Sequence, residues 1–226
     1  MFQKTARFFK PPQQLLEGLF AFPPNQDTLG LTTYFILEKT GNILVDCPNW
    51  NQQVEDFLQQ HGGVRYLFIT HRGCISKSVK SLQNALKCSV VLQEQEAYLL
   101  PEITVTSFKE EILLSSDIKG IWTPGYSPGS SCLYWSLHGG ILFTGRHLLF
   151  DSSGNLTPLR SAKTFHWSRQ LNSVQVLLNH FTYSSLTYIC PGANMKFMLE
   201  KGLIDRAYEQ LSNLNLENLR KTPIRR

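Results

Sequence analysis

The sequence predicts a mixed α/β fold with two groups of strands, and three observations carry that reading. The first half alternates apolar strand-like runs with amphipathic helical patterns. The second half is a series of short apolar runs separated by turn residues. A chain of 226 residues, 42% hydrophobic and 17% charged, is long enough to bury a sizeable core and has a globular composition. One domain spanning 1–226 is the simpler organisation, with 1–14 and 217–226 expected to be mobile ends.

The first strands fall near Gly18 to Ala21, Thr32 to Leu37 and Asn42 to Asp46, with Lys39-Thr40-Gly41-Asn42 as a hairpin turn. Val54, Phe57 and Leu58 have the i, i+3, i+4 spacing of a helix that Gly62-Gly63 ends. The apolar run Val64 to Ile69 reads as a buried strand. Ser76 is a candidate cap for a helix with Val79, Leu82 and Leu86 on its face, and Cys88 to Leu92 returns as a strand. Strands follow at Ile103 to Ser107, Glu111 to Leu114, Gly120 to Trp122, Cys132 to Leu137 and Ile141 to Thr144, the last two joined by His138-Gly139-Gly140. Leu171, Val174, Leu177 and Leu178 mark a helix, Thr187 to Cys190 a final strand, and Asn194 to Leu214 a closing helix.

The strand ending at Ile69 runs into Thr70-His71-Arg72-Gly73-Cys74-Ile75-Ser76. Three further glycine-containing segments follow: Thr123-Pro124-Gly125-Tyr126-Ser127-Pro128-Gly129-Ser130, Leu142-Phe143-Thr144-Gly145-Arg146-His147-Leu148 at the end of a strand, and Pro191-Gly192-Ala193. Taken singly, each reads as an ordinary loop. In this order they resemble T-H-x-H-x-D-H, T-P-G-H-T-P-G-S, L-F-T-G-D-T-L and P-G-H of the metallo-β-lactamase-fold hydrolases, over roughly residues 15 to 210. The resemblance implies an αββα four-layer sandwich of two mixed β-sheets. It also implies seven metal-ligand positions, of which His71 alone is kept. Gly73, Ile75, Ser76, Tyr126 and Ala193 stand at five of the others, and Arg146 replaces the aspartate that bridges two metals. Asp46 matches an early aspartate that supports the loop beneath the metals.

A hydrolytic zinc site needs about three protein ligands and an open position for water. One histidine does not supply that, and a permanently charged guanidinium at Arg146 repels a cation placed there. The resemblance therefore implies a metal-free pseudoenzyme without a cofactor, whose former site is a cationic pocket. His71, Tyr126 and Arg146 are expected to converge, with Arg72, Lys77 and His147 near the rim and His166 and Arg169 as additional contributors. Such a pocket suits a small carboxylate or phosphate. The bland counterpart is an Arg146 that pairs internally with Asp151 or another acid and only fills space.

An alternative keeps a hydrolase, either glyoxalase-II-like on an unorthodox site or thiol-based. In the second form His71 is the base for Cys74 and Arg146 stabilises developing negative charge; no third orienting group can be read from the sequence. A third reading makes the chain an interaction protein, with Trp50, Tyr98-Leu99-Leu100, Trp135 and Phe165-His166-Trp167 as aromatic material for a protein partner or a homodimer face.

Composition narrows the remaining classes. The five cysteines are scattered without a C-x-x-C pair, against both a disulfide framework and a zinc ribbon. A net charge of +5 and a pI near 9.0 favour attraction of anions. Four of the basic residues, Arg220, Lys221, Arg225 and Arg226, crowd the last seven positions, and no basic run elsewhere makes a nucleic-acid footprint. No apolar run reaches the ~20 residues of a membrane span, and none at the N-terminus has signal-peptide length. The expectation is a cytoplasmic monomer or homodimer. Thr70-His71-Arg72-Gly73 and Cys190-Pro191-Gly192-Ala193-Asn194 are similar to motifs of a degenerate subgroup from cyanobacteria and plant plastids. That resemblance implies a cyanobacterial cytosol, or a plastid stroma if a transit peptide has been removed.

Overall fold

Two β-sheets stacked face to face, with helices on their outer surfaces, make up the computed structural model, which describes residues 10–28, 30–151, 154–193 and 203–224. The first sheet opens as an antiparallel meander of β1 (Gln13–Leu16), β2 (Leu19–Ala21), β3 (Tyr34–Ile36) and β4 (Ile43–Val45). The β3–β4 turn falls on the predicted Lys39–Asn42 segment. It continues in parallel through β5 (Tyr66–Phe68), β6 (Ser89–Gln93) and β7 (Val105–Phe108). The parallel pairs require crossovers, and these are α1 (Gln52–Gln60) between β4 and β5, α2 (Val79–Leu86) between β5 and β6, and the segment with the 3-10 turn Glu94–Leu99 between β6 and β7.

Both crossover helices are amphipathic and bury the apolar stripe that their spacing predicts. Val54 and Leu58 of α1 and Val79, Leu82 and Leu86 of α2 pack on Phe35, Leu44, Leu67 and Val90 of the sheet. Asn51 caps α1 by accepting from the Val54 N–H at 3.1 Å. Ser76 does not cap α2 directly. Its hydroxyl accepts from the Ser78 N–H at 3.1 Å, a local turn that delays the helix to Val79.

The second sheet contains β8 (Glu111–Leu113), β9 (Ile118–Trp122), β10 (Ser131–Trp135), β11 (Ile141–Gly145) and β14 (Tyr188–Pro191), in the order β14-β11-β10-β9-β8. Side-chain alternation sends Leu133, Trp135, Ile141 and Phe143 inward against Tyr34, Ile36, Val45, Phe68 and Val91 of the first sheet. The opposite face carries Ile121, Cys132, Leu142 and Ile189 against Val174 and Leu177 of α3 (Trp167–His180) and Leu211 of α4 (Ala207–Ser212). The sheets approach so closely that a Cβ on Gly120 would lie 2.6 Å from the Phe68 ring. The layers are thus helix, sheet, sheet, helix.

Several elements differ from the sequence expectation. Residues 13–14, assigned to a mobile end, belong to β1, whose short polar-flanked run carries little pattern. A small hairpin, β12 (Leu149–Phe150) with β13 (Leu156–Thr157), was not predicted. The expected helix over 194–214 begins outside the described residues at 194–202. Within them Ile204 is extended and bridges Ile189, and only Ala207–Ser212 is helical. Part of the expected C-terminal end at 217–226 is instead α5 (Leu216–Arg220), docked where the Trp167 indole N–H donates to Leu219 O at 2.9 Å. Among the described residues no helix is long and apolar enough to cross a membrane.

Candidate functional site

Five loops, following β4, β5, β9, β11 and β14, meet at one rim of the sandwich. Asp46 leaves β4 with φ +66, a left-handed conformation rare outside glycine. Its carboxylate compensates by fixing the next loop. Oδ1 accepts the Thr70 N–H at 2.8 Å, and Oδ2 accepts the Thr70 hydroxyl at 2.8 Å. Ser131 N–H donates to Thr70 O at 2.8 Å, tying this loop to the second sheet, and Gly192 N–H donates to Gly145 O at 2.7 Å. Glycine is required where these loops touch. A Cβ on Gly145 (φ +51) would sit 2.4 Å from Thr70 Oγ1, and one on Gly73 would sit 3.0 Å from His71 Nε2.

The inner part of the site is a closed polar network. His71 Nδ1 lies 3.0 Å from both Thr70 Oγ1 and Cys74 Sγ, and Thr70 Oγ1 lies 3.4 Å from that sulfur. His71 is 1% exposed and Cys74 0%. Burial, reinforced by the charges of Arg146 and Arg72, pulls the His71 pKa down to about 3. Burial also pushes the Cys74 thiol well above its usual value, with the Asp46 carboxylate acting in the same direction. The Asp46 pKa rises to about 6 because burial outweighs the Thr70 and Cys74 hydrogen bonds that favour its charged form. At neutral pH the pair is therefore a neutral imidazole beside a neutral thiol.

Tyr126 covers this network, its ring edge-on to His71 at 4.9 Å and 82°. Arg146 hydrogen-bonds Tyr126; burial raises the tyrosine pKa and the guanidinium opposes that rise. The sequence reading missed Glu96, a buried acid in the 3-10 turn Glu94–Leu99. Glu96 accepts from the Gly129 N–H at 3.1 Å and is also hydrogen-bonded by Ser127 and the Arg72 backbone. It joins the two loops that carry Arg72 and Tyr126, while burial raises its own pKa.

Outside this layer lies an open cavity of about 380 Å³ lined by Arg72, Gly73, Tyr126, Ala162, Lys163, Thr164 and Phe165. Lys163 was also missed, because it lies in the 158–166 connection between β13 and α3, where no periodicity or motif singles it out. The Phe165 N–H donates to Tyr126 O at 3.0 Å and the His166 N–H to Gly125 O at 2.9 Å, so the wall is pinned to the Tyr126 loop.

The structure brings His71, Arg72, Cys74, Tyr126 and Arg146 together and places four other expected residues elsewhere. Lys77 is exposed in the turn before α2 and does not line the cavity. His147 is a correction: beside Arg146 in sequence, it turns into the interior at 2% exposure, and burial lowers its pKa to about 3. Neither of its ring nitrogens has a partner among the described residues. His166 is exposed and caps α3, accepting from the Arg169 N–H at 3.2 Å. Arg169 stacks over Trp122, 5.5 Å from the ring centroid. That pair lines a separate groove of about 370 Å³ which continues to Glu111 and His180. Of the aromatic surface candidates, Trp135 is core, whereas Tyr98 and Phe165 are 69% and 51% exposed.

These residues do not fit the metal centre that the ligand motifs imply. His71 Nδ1 is taken up within its own network, and Tyr126 and the Arg146 cation stand where the resembled motifs carry ligands. Among the described residues no three His, Cys, Asp or Glu side chains are grouped so as to hold an ion.

No protein-family profile matches the chain, and no curated protein matches it in sequence. Solved structures match it in shape. The DIM-1 metallo-β-lactamase superposes with a TM-score of 0.69 at 17% identity, covering 92% of this chain and 97% of that one. A metallo-β-lactamase family protein from Thermus thermophilus gives 0.64 at 18% identity, covering 91% and 80%. A protein solved in a di-iron-bound form gives 0.64 at 19% identity, covering 83% and 96%. Layer order, sheet topology and these superpositions agree: the chain has the metallo-β-lactamase fold.

Proposed function

We propose that this chain is a metal-free, non-hydrolytic protein of the fold that binds a small anionic ligand at the mouth formed by Arg72, Tyr126 and Lys163. The observation that carries the reading is the cavity lining, which contains two cationic side chains and no carboxylate. Arg72 offers a planar fork of donors and Lys163 a mobile point charge, the pair suited to a carboxylate or a phosphate. Arg146 stands behind Tyr126 and adds positive potential without lining the cavity. The chain's net charge of +5 favours anion encounter over longer range.

The thiol-based alternative has one favourable feature, the 3.0 Å approach of Cys74 Sγ to His71 Nδ1. The Asp46–Thr70 pair acts on that same nitrogen: with the Thr70 hydroxyl proton donated to Asp46, Thr70 Oγ1 accepts from His71 Nδ1–H, and Nδ1 is not free to take the thiol proton. The chemistry opposes it. Nucleophilic attack needs an accessible thiolate, whereas this thiol is buried and its pKa is raised by burial and by the Asp46 charge.

The test is calorimetric titration of the full chain with acetate, benzoate, inorganic phosphate and phenyl phosphate. At least one anion is expected to bind, and the double variant Arg72→Ala/Lys163→Ala to lose at least tenfold in affinity, about 1.4 kcal/mol. Absence of binding to all four, or full binding by the double variant, would overturn the proposal.

A further inference from the structure

We infer that the ligand of this cavity is an aromatic ring bearing one anionic group, not a bare inorganic anion or an aliphatic polyanion. The inference rests on the anion-binding reading above. Volume argues first. About 380 Å³ corresponds to roughly a dozen waters at ~30 Å³ each, far more space than a small inorganic anion displaces. The cavity lies toward the lower end of the 300–1,000 Å³ range of small-molecule sites. A ligand that fills it carries a body as well as a charge.

The lining indicates what that body is. Phe165 is 51% exposed although its backbone is fixed on both sides. The Thr164 N–H donates to Ser161 O at 3.0 Å, the Phe165 N–H to Tyr126 O at 3.0 Å and the His166 N–H to Gly125 O at 2.9 Å. The ring is therefore a preorganised apolar wall, and its desolvation by a ligand requires little loss of backbone freedom. An aromatic body meets such a wall by offset or edge-to-face packing and presents a face to the neighbouring cations. Arg72 and Lys163 then engage one anionic group. A tricarboxylate leaves charge unmatched by two cations, and an aliphatic dicarboxylate offers the Phe165 ring no aromatic partner. Carboxylate and phosphate share the anionic chemistry, and the experiment separates them.

Two pairs of probes differ only by the ring: benzoate against acetate, and phenyl phosphate against inorganic phosphate. In the wild-type chain the aromatic member of at least one pair is expected to bind about tenfold or more tightly than its partner, and the pair that shows it identifies the anionic group. Phe165→Ala is expected to reduce that ratio to within about threefold, chiefly by weakening the aromatic member; Phe165→Leu, which keeps apolar bulk without a π face, falls between. Equal binding within both pairs would overturn the inference and leave the anion-binding reading standing. So would an aromatic preference that persists undiminished in Phe165→Ala. No binding by any of the four probes removes both.

Discussion

The loop after β5 divides the site in two, and the halves obey different physics. His71 and Cys74 point inward, where with Asp46 and Thr70 they form a buried network whose contacts are satisfied within itself. Arg72, one residue along, is exposed and faces an open cavity with Lys163 and Phe165. The inner residues carry perturbed pKa values and near-complete burial, features that often accompany catalysis; here they hold loops together. The outer residues have solvent access, and the cavity they line carries no carboxylate, although Arg72 interacts with the buried Glu96 behind it. Perturbed titration marks the buried half of this site, and accessibility marks the half proposed to bind a ligand.

Asp46→Ala breaks the comparison most severely. It removes both Asp46 acceptors of Thr70, leaving a buried N–H unpaired and the hydroxyl with only His71 and Cys74 beside it, and it keeps a left-handed backbone that alanine tolerates poorly. The expected loss in urea denaturation is about 4 kcal/mol, at the upper end for single substitutions. Asp46→Asn retains a carbonyl acceptor and tolerates the positive φ better, so about 1–2 kcal/mol is expected. Arg72→Ala, on the exposed side of the same loop, is expected to stay within about 0.5 kcal/mol of wild type. An Asp46→Ala protein as stable as Arg72→Ala would mean that the network does not hold the loop.

Much of the fold was legible because its elements follow simple periods. The α1, α2 and α3 stripes and the alternating strands of the second sheet appear where the spacing puts them, and the positive φ of His138, Gly139 and Gly140 fits the tight turn read between β10 and β11. The site was legible only where a loop motif named it. His147 was misplaced because sequence adjacency to Arg146 carries no information about facing: beyond β11 one side chain reaches Tyr126 and the next packs into the interior. Lys163 and Glu96 arrive from segments remote in sequence, so their roles depend on tertiary contacts that no local spacing encodes. Glu96 in Glu94-Gln95-Glu96 has the appearance of a solvated polar turn, yet its carboxylate is spent on the Gly129 and Arg72 backbones.

Acidification provides a smaller perturbation of the inner half, with opposing signs. His71 and His147 have folded pKa values of about 3 against 6.5 in the unfolded chain, so the unfolded state binds more protons and stability falls as pH drops below about 6.5. Asp46, at about 6 when folded and 3.8 when unfolded, works the other way: the folded state binds the extra proton, and stability rises as pH falls through 6 toward 4. Glu96, also raised by burial, adds to that offset. Between pH 7 and 5 the two histidines together cost roughly 4 kcal/mol and the acids return part of it, for an expected net loss of about 2 kcal/mol. Denaturation midpoints across that interval check the sign. A protein that becomes more stable on acidification would show that the imidazoles are not held neutral in the fold.

Cysteine labelling provides the gentlest test, since it perturbs nothing until a thiol opens. Cys47, Cys74, Cys88, Cys132 and Cys190 are all buried, so iodoacetamide at neutral pH is expected to label the native chain only as fast as it opens. Cys74 should then follow the same protection as Cys132, which is fully buried in β10 of the second sheet. Denaturant at the unfolding midpoint should release all five together if the domain unfolds in one step. Rapid, selective labelling of Cys74 at full global stability would mean that the loop after β5 opens on its own. The thiol would then spend part of its time in water beside His71, and the line between a structural inner half and a binding outer half would have to be redrawn with Cys74 on the reactive side.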